Sequence, residues 1–249
     1  MRAEDSASRR LDRAADGSPR GSGPFRVFVT ATDTGVGKTE VASALLSLLA
    51  DEGVSPVPFK PYESGCARLS RPADALALRA AARSTDPLDL ICVHRFRAPL
   101  APGIAAARRG RAPGFRAVLS AYRSFGARPL VAEGAGGLLV PLDARHDVVD
   151  LIEALGLPVV LVARAGLGTL NHTGLSLHLL RSRGITVKAV VLSRSSPARD
   201  PSVKDNAEWL TRRHRVPVLG PVPYREDPVR RRAAFRRALG PLLEWAAVR

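Results

Sequence analysis

The chain alternates short, fully apolar segments with stretches of helical spacing, and this alternation is the feature that most limits its fold. Strands that are apolar on both faces are typical of a parallel sheet covered on both sides by helices. We therefore predict an α/β fold with one doubly wound parallel β-sheet in a single domain. The predicted strands are a first strand from residue 26, then 54–59, 129–133, 158–163, 187–193 and 216–219. The predicted helices are one after Thr39, then 74–83, 115–125, 148–155, 170–183, 207–214 and 233–247.

The first strand runs into a loop with the sequence Thr-Ala-Thr-Asp-Thr-Gly-Val-Gly-Lys-Thr, from Thr30 to Thr39. Backbone N–H groups of such a loop, at the start of a helix, hold a polyphosphate where the helix dipole favours negative charge. Lys38 can reach the outer phosphates, and the Thr39 hydroxyl can ligate Mg²⁺. The usual Gly-x4-Gly-Lys-Thr spacing would place glycine at position 32, where this chain has threonine. The loop predicts a P-loop NTPase-like fold with nucleotide bound by Gly35, Val36, Gly37, Lys38, Thr39 and Glu40.

Two further charged residues stand next to predicted elements. Lys60 follows an apolar strand and precedes a proline, so we expect it at the rim of the sheet, where it can neutralise charge on a phosphoryl group. A surface lysine lying along apolar neighbours is the alternative interpretation. Asp74 opens a helix, where a first-turn carboxylate stabilises the helix by itself. A metal role for Asp74 requires that the fold bring it to Thr39.

A buried strand ends in Glu133-Gly134-Ala135-Gly136-Gly137, which resembles a Walker B segment. A carboxylate in this position supplies the hard oxygen that Mg²⁺ prefers, and the glycines let backbone approach a ligand closely. We predict a Mg²⁺ site formed by Thr39, Asp74 and Glu133. A loop that only turns the chain is the alternative, and His172 is as consistent with a structural role as with a ligand.

Composition narrows the class of protein. The 249 residues carry a net charge of +15, but the basic residues are mostly arginines spread along the chain, without interleaved aromatic residues. We therefore expect a solvated basic surface and no nucleic-acid partner. No apolar run approaches the roughly 20 residues of a membrane span, and two cysteines make neither a metal motif nor a disulfide framework. A cytoplasmic location is expected, with residues 1–24 as a disordered extension because they lack an apolar core.

Together these segments resemble the dethiobiotin synthetase family, whose motifs occur here in the family order from about residue 25 to 229. The motifs are the loop from Thr30 to Thr39, Lys-Pro-x-x-Ser-Gly from Lys60, Asp74-Ala75, Glu-Gly-Ala-Gly-Gly from Glu133 and, partly, the segment ending in Asn171-His172. The resemblance implies that residues 25–249 form a P-loop domain that uses ATP and Mg²⁺. The implied reaction converts 7,8-diaminononanoate and CO2 or bicarbonate to dethiobiotin, ADP and phosphate in biotin biosynthesis, as a ligase that forms carbon–nitrogen bonds in a ring.

The resemblance also implies roles for individual residues. Lys38, Lys60 and Thr34 would act in catalysis, and Ser64, Lys60 and Asn171 would bind substrate. Asn171 would do so from the neighbouring subunit of a homodimer, with no membrane involved. Further ATP contacts would come from Asp74, Glu133, Gly134, Ala135, Gly136, Ser193, Arg194, Pro223, Tyr224 and Arg225.

The chain departs from the family pattern at three places. Ala31 stands for a glycine, which is compatible with the loop if its φ is negative. Ser193 stands where family members carry an adenine-binding asparagine, and its shorter side chain leaves the nucleobase preference open. The segment from Pro223 to Arg225 matches the loop at the nucleotide edge only loosely.

Three alternatives stay open at this point. One is another amidoligase of the same fold, such as a cobyrinate a,c-diamide synthase-like protein, although 249 residues leave no room for its usual glutaminase domain. A second is a Par/Min-type regulatory ATPase, whose loop normally carries another lysine near its start, where this chain has Thr32 and Asp33. A third is a degenerate paralogue that binds nucleotide without turnover.

Overall fold

A computed structural model of the chain describes residues 23–110, 114–194 and 196–244. The extension predicted for residues 1–24 lies outside the described residues except for Gly23 and Pro24. The strands are β1 (Arg26–Ala31), β2 (Val57–Phe59), β3 (Tyr62–Glu63), β4 (His94–Arg95), β5 (Leu130–Gly137), β6 (Val159–Arg164), β7 (Val187–Ser193) and β8 (Val218–Val222). The helices are α1 (Lys38–Asp51), α2 (Ala73–Ala81), α3 (Leu88–Ile91), α4 (Pro102–Ala107), α5 (Phe115–Ser124), α6 (Val148–Leu155), α7 (Thr169–Ser182), α8 (Val203–His214), α9 (Pro228–Leu239) and α10 (Pro241–Glu244).

Six strands form one parallel sheet in the order β2-β5-β1-β6-β7-β8. The first strand is therefore central, with β5 on one side and β6 on the other. The strands β3 and β4 form a separate parallel pair of two residues each. The predicted doubly wound parallel sheet is confirmed.

Strand β1 shows why the sequence folds in this way. Its Val27, Val29 and Ala31 pack in one core cluster with apolar residues of α1 and α9, while Phe28 packs on the other face with residues of α5 and α6. All four side chains have no solvent exposure. Burying a large apolar side chain contributes about 1.5–3 kcal/mol. A strand that is apolar on both faces is therefore stable only in the middle of a sheet covered by two helical layers.

The predicted element pattern needs correction at several places. The strand predicted over 129–133 is β5, which continues beyond Glu133 because the glycine-rich segment stays paired with β1, up to Ala31 opposite Gly137. The predicted terminal helix 233–247 is instead α9 and α10, separated by Gly240, and residues 245–249 lie outside the described part of the chain. The first of these helices begins earlier because Asp227 accepts a hydrogen bond from Arg230 N at 2.7 Å, and Pro228 has a φ suited to the first turn. The short elements α3, α4, β3 and β4 were not predicted, because elements of two to six residues are too short to show a period.

The carboxyl ends of β1, β2 and β5 lie side by side at one edge of the sheet, and α1 begins there after the phosphate loop. Ligands of open α/β sheets bind at this edge. None of the helices in the described ranges has the length and apolar character needed to span a membrane.

Candidate active site

The phosphate loop reaches its conformation through two glycines with positive φ. Gly35 has φ +74° and Gly37, the N-cap residue of α1, has φ +103°. A Cβ on Gly37 would also lie 3.3 Å from Ser193 Oγ and 3.4 Å from Phe235 Cζ. No side chain caps the N-terminus of α1, so the N–H groups of its first turn are available to an anion.

Lys38 is almost completely buried, with 7% of its surface exposed. Its Nζ donates to the Asp33 carbonyl at 3.0 Å. Burial, and then the nearby Lys60 charge, lower the pKa of Lys38 to about 8. Asp33 is itself held in place, because its Oδ1 accepts from Thr34 N at 2.7 Å and its Oδ2 pairs with Arg164 Nη2 at 2.7 Å. The loop thus holds a buried ammonium group whose charge an anionic ligand would stabilise.

Lys60, Glu133 and Thr39 form a hydrogen-bonded cluster below the loop. Lys60 Nζ lies 2.6 Å from Glu133 Oε1 and donates to the Gly134 carbonyl at 2.9 Å. The Thr39 hydroxyl donates to the same Glu133 oxygen at 2.9 Å. Lys60 and Glu133 are 3% and 1% exposed, so Lys60 is a buried ion-paired residue and not a surface lysine.

The charged groups in this cluster shift one another's pKa values. Burial lowers the pKa of Lys60, but Glu133, Asp74 and Glu63 outweigh it, and the net pKa of Lys60 is raised. Burial raises the pKa of the Glu133 carboxyl, against the opposing effect of Lys60 and the hydrogen bond from Thr39. The lysine therefore stays charged across the physiological range, while the carboxylate depends on its cationic partners.

Three oxygens near the loop suit a divalent cation. Glu133 Oε2 is buried and has no hydrogen-bond partner among the described residues, and the Asp74 carboxylate lies 3.5 Å from Lys60 Nζ. With the Thr39 hydroxyl these are hard oxygen ligands, which fit Mg²⁺. The described residues contain no group of three or more His, Cys, Asp or Glu side chains able to hold a metal. Such a site suits Mg²⁺ bound through one or two carboxylates together with phosphate oxygens.

The first turn of α2, which carries Asp74, is hydrogen-bonded to Glu63, a residue that the sequence analysis missed. Glu63 is 4% exposed, and its two carboxylate oxygens accept from Asp74 N at 3.0 Å and Ala75 N at 2.9 Å. The acidic residue directly before Ser64-Gly65 is the only signal that the sequence carries for this contact.

A cavity of about 600 Å³ opens in front of the cluster. Its walls include the predicted residues Thr34, Ser64 and Asp74 as well as both lysines. Apolar side chains face the same space, and these were not predicted. The cavity can therefore hold a ligand with both charged and aliphatic parts. Its remaining lining is Gly35, Gly37, Thr39, Glu40, Tyr62, Glu63, Pro99, Leu100, Ala101, Pro102, Glu133, Ala135, Gly136 and Val140.

A second cavity, of about 200 Å³, lies on the other side of the phosphate loop. Ser193 is 4% exposed at the end of β7, and Arg231 Nε lies 2.8 Å from Glu40 Oε1 across the space. The structure brings all five residues predicted for the nucleotide edge here and adds two of α9 that were not predicted. They are Ser193, Arg194, Pro223, Tyr224 and Arg225, with Arg231 and Phe235 from α9.

Ala31 does not enter this space. Among the described residues, the non-glycine positions with positive φ are Arg83 and Arg215, so the φ of Ala31 is negative. Its methyl group is fully buried in the core between the sheet and α1. Alanine at this position is thus accommodated by the strand and does not narrow the loop.

Asn171 is not brought to the lysine cavity within one chain. It is exposed near the start of α7 and lines a different groove, of about 360 Å³, with Leu175 and Trp209. His172 is exposed on the same helix. Several large apolar side chains are exposed on or beside this surface: Leu167 (81%), Leu175 (63%), Trp209 (57%) and Leu170 (39%).

Comparison with known proteins finds similar sequences and a similar fold. A family model described as an AAA domain matches residues 26–232. The chain is 49% identical over 220 residues to the ATP-dependent dethiobiotin synthetase BioD of Anaeromyxobacter dehalogenans strain 2CP-C, covering 87% of this chain and 96% of that protein. It is 38% identical over 210 residues to the protein of the same name from Thermodesulfovibrio yellowstonii, covering 79% of this chain and 88% of that protein.

Among solved structures, the chain is similar to a MinC:MinD cell division protein complex from Aquifex aeolicus. The TM-score is 0.52 at 14% identity, and the match covers 86% of each chain. At this identity the likeness concerns the fold alone, and it adds no support to a regulatory role.

Proposed function

Because the chain belongs to the ATP-dependent dethiobiotin synthetase family, we propose that it closes the ureido ring of dethiobiotin from 7,8-diaminononanoate, CO2 and ATP. The observation that carries this proposal is the buried cluster of Lys60, Glu133 and Thr39 between the phosphate loop and the 600 Å³ cavity. Lys38 of the phosphate loop lines the same cavity, so two ammonium groups and a carboxylate border the space in which, in our proposal, the phosphate chain and the second substrate would meet.

The chemistry needs positioning and cationic charge, and no protein nucleophile. One amine of the substrate adds to CO2 and loses a proton to give a carbamate, whose oxygen attacks the γ-phosphorus of ATP and expels ADP. The second amine then attacks the carbamate carbon, the C–O bond to phosphate breaks, and the ring closes with release of phosphate and a proton. Negative charge accumulates between the two substrates in both steps, so fixed cations lower the barrier.

Lys60 and Lys38 supply those cations in our proposal. Lys60 is held by Glu133 and the Gly134 carbonyl, and Lys38 by the Asp33 carbonyl, so neither ammonium must reorganise far to meet an anion. The Thr34 and Ser64 hydroxyls, which line the same cavity, would orient the carbamate and the diamine. Thr39, Asp74 and Glu133 would hold Mg²⁺, whose charge offsets that of the phosphates when it is bound.

The nucleobase would occupy the 200 Å³ cavity. There the Ser193 hydroxyl can both donate and accept a hydrogen bond, and Arg194, Pro223, Tyr224 and Arg225 would border the base and ribose. Since ATP is the co-substrate, we place the reaction in the cytoplasm.

A homodimer completes the proposal. The groove around Asn171 is bordered by exposed Leu175 and Trp209, and large exposed apolar patches mark contact sites. Asn171 lies outside the lysine cavity of its own chain, which suits a residue that serves a neighbouring subunit. We expect the protein to sediment as a dimer and Trp209→Glu to shift it toward monomer, whereas a dimer unaffected by that change would reject this surface as the interface.

The proposed reaction is tested directly with purified protein, ATP, Mg²⁺, bicarbonate and 7,8-diaminononanoate. We expect dethiobiotin, ADP and phosphate in equal amounts, each dependent on the diamine. Nucleotide binding without product would instead indicate a degenerate paralogue. ATP hydrolysis stimulated by DNA, with steep salt dependence, would favour the Par/Min-type alternative.

A further inference from the structure

We propose that Glu63 is the positioning residue of the Mg²⁺ site: it holds the first turn of α2 so that Asp74 faces Lys60 and the phosphate loop. The inference rests on the proposed function, because it concerns the metal site assigned there. It adds a residue that is not itself a ligand but determines where a ligand stands.

Glu63 caps α2 from outside the helix. The N-cap residue of this helix is Pro72, which offers no side-chain cap, so Asp74 and Ala75 are its second and third residues. Their N–H groups are the ones that an N-cap side chain normally satisfies. Here they donate instead to the two oxygens of Glu63, at 3.0 Å and 2.9 Å. The carboxylate therefore binds the backbone of the same residue whose side chain faces Lys60.

The backbone of Glu63 is itself fixed. It lies in β3 opposite Arg95 of β4, and its carbonyl accepts from Phe96 N at 2.8 Å. The side chain is 4% exposed, so solvent does not compete for its oxygens. Glu63 thus forms a rigid link between the segment that carries Lys60 and the helix that carries Asp74.

The direction of the carboxylate separates its role from that of Asp74. Glu63 borders the 600 Å³ cavity, but both of its oxygens accept from α2. Asp74 makes the closer approach to the catalytic lysine, at 3.5 Å, and its side chain is 42% exposed, as a ligand open to solvent and nucleotide requires. Loss of the cap should free the first turn of α2 and reduce the fraction of molecules in which Asp74 is in place.

The test measures Mg²⁺ dependence by a binding assay. A fluorescent ATP analogue is bound to the full chain at increasing Mg²⁺, and the half-saturating Mg²⁺ concentration is read from the titration. We expect Glu63→Gln to raise this concentration about fivefold, the fold-change that corresponds to a lost N-cap, with saturating Mg²⁺ restoring binding. Glu153→Gln, which changes an exposed carboxylate paired with Arg183, is the matched control and should leave the titration unchanged.

Two double variants decide whether Glu63 acts through the helix. Pro72 has φ −64° and ψ 123°, a conformation that suits a serine N-cap, so Pro72→Ser should restore the Mg²⁺ dependence of Glu63→Gln. In an Asp74→Asn background, Glu63→Gln should add no further effect, because the residue it positions no longer binds metal. If Glu63→Gln fails to fold, Glu63→Asp replaces it, since its shorter side chain cannot reach both amides.

An unchanged titration in Glu63→Gln, or additive effects with Asp74→Asn, would overturn the inference. Failure of the serine cap to restore the Mg²⁺ dependence would do so as well. Synthesis of dethiobiotin by the wild-type chain is measured in parallel. Product together with one of these results rejects the role of Glu63 alone, whereas no product rejects the proposed function.

Discussion

Replacing Lys60 by methionine removes a buried charge while keeping the length of the side chain. In the wild-type chain the ammonium lies 2.6 Å from Glu133 Oε1, and both side chains have at most 4% exposure. Without this lysine, Glu133 Oε1 would keep only the hydrogen bond from Thr39, and Oε2 has no hydrogen-bond partner among the described residues. Breaking one half of a buried ion pair costs about 3–5 kcal/mol, because the remaining charge is left without compensation.

The decrease in the free energy of unfolding caused by Lys60→Met should depend on pH in a defined direction. In Lys60→Met the folded pKa of Glu133, already raised by burial, rises further above its unfolded value. A carboxyl with a raised folded pKa binds more protons in the folded state, so the free energy of unfolding falls as pH rises through that window. We expect thermal unfolding of the variant to be close to wild type near pH 5. At pH 8 the melting temperature of the variant should be about 6–20 °C below that of the wild type, because each kcal/mol corresponds to roughly 2–4 °C in a domain of this size.

A double variant and a turnover assay complete the experiment. Lys60→Met with Glu133→Gln removes both charges and should recover most of the stability, because neutral replacements of buried pairs are often tolerated. Turnover of the single variant should fall about 10²–10³-fold, the usual effect of losing one group that stabilises developing charge, with ATP affinity within a few-fold. Equal melting of Lys60→Met and wild type at pH 8 would refute the ion-pair argument, and normal turnover would refute the catalytic role.

Two other measurements test the loops. Gly136 has φ +67°, and a Cβ at this position would lie 2.7 Å from Val140 Cγ2. We therefore expect Gly136→Ala to lower the free energy of unfolding, measured with denaturant, by about 1–3 kcal/mol. Gly23→Ala, where a Cβ meets nothing within 4 Å, is its control, and equal stability of the two variants would contradict the strain. Because the pKa of Lys38 is about 8, affinity for the nucleotide should fall as pH rises through 8. A titration that is flat to pH 9.5 would show that this ammonium does not bind phosphate.

The sheet and the approximate position of the site were predictable because they follow from local sequence patterns. The central strands are rich in apolar residues on both faces, a pattern typical of a parallel sheet between two helical layers. Lys60 directly follows β2, and Glu133 lies within the neighbouring strand β5, so the parallel pairing of these two strands brings both side chains toward one edge of the sheet. Thr39 follows from the loop at the start of α1. Three residues far apart in the chain could therefore be assigned to one site.

The contacts that hold the site in place were not predictable for a corresponding reason. Glu63 reaches α2 only because β3 and β4 pair over two residues, which is too short for any periodic signal. Arg231 meets Glu40 because α9 packs on α1, and a sequence rich in arginine does not distinguish that arginine from its neighbours. The order of the strands likewise depends on packing between distant segments rather than on local pattern.

The two lysines of the site differ in their electrostatic surroundings. Lys60 is surrounded by carboxylates that keep its pKa raised, so its charge is permanent and largely neutralised within the protein. Lys38 is buried with less compensation, and its pKa is lowered to about 8. A phosphate or carbamate would therefore be attracted most strongly by Lys38, whose charge lacks a full counterion. Lys60 would hold Glu133 in place and present its charge from the opposite side. We therefore expect ligand capture to depend mainly on Lys38 and the organisation of the reaction centre mainly on Lys60.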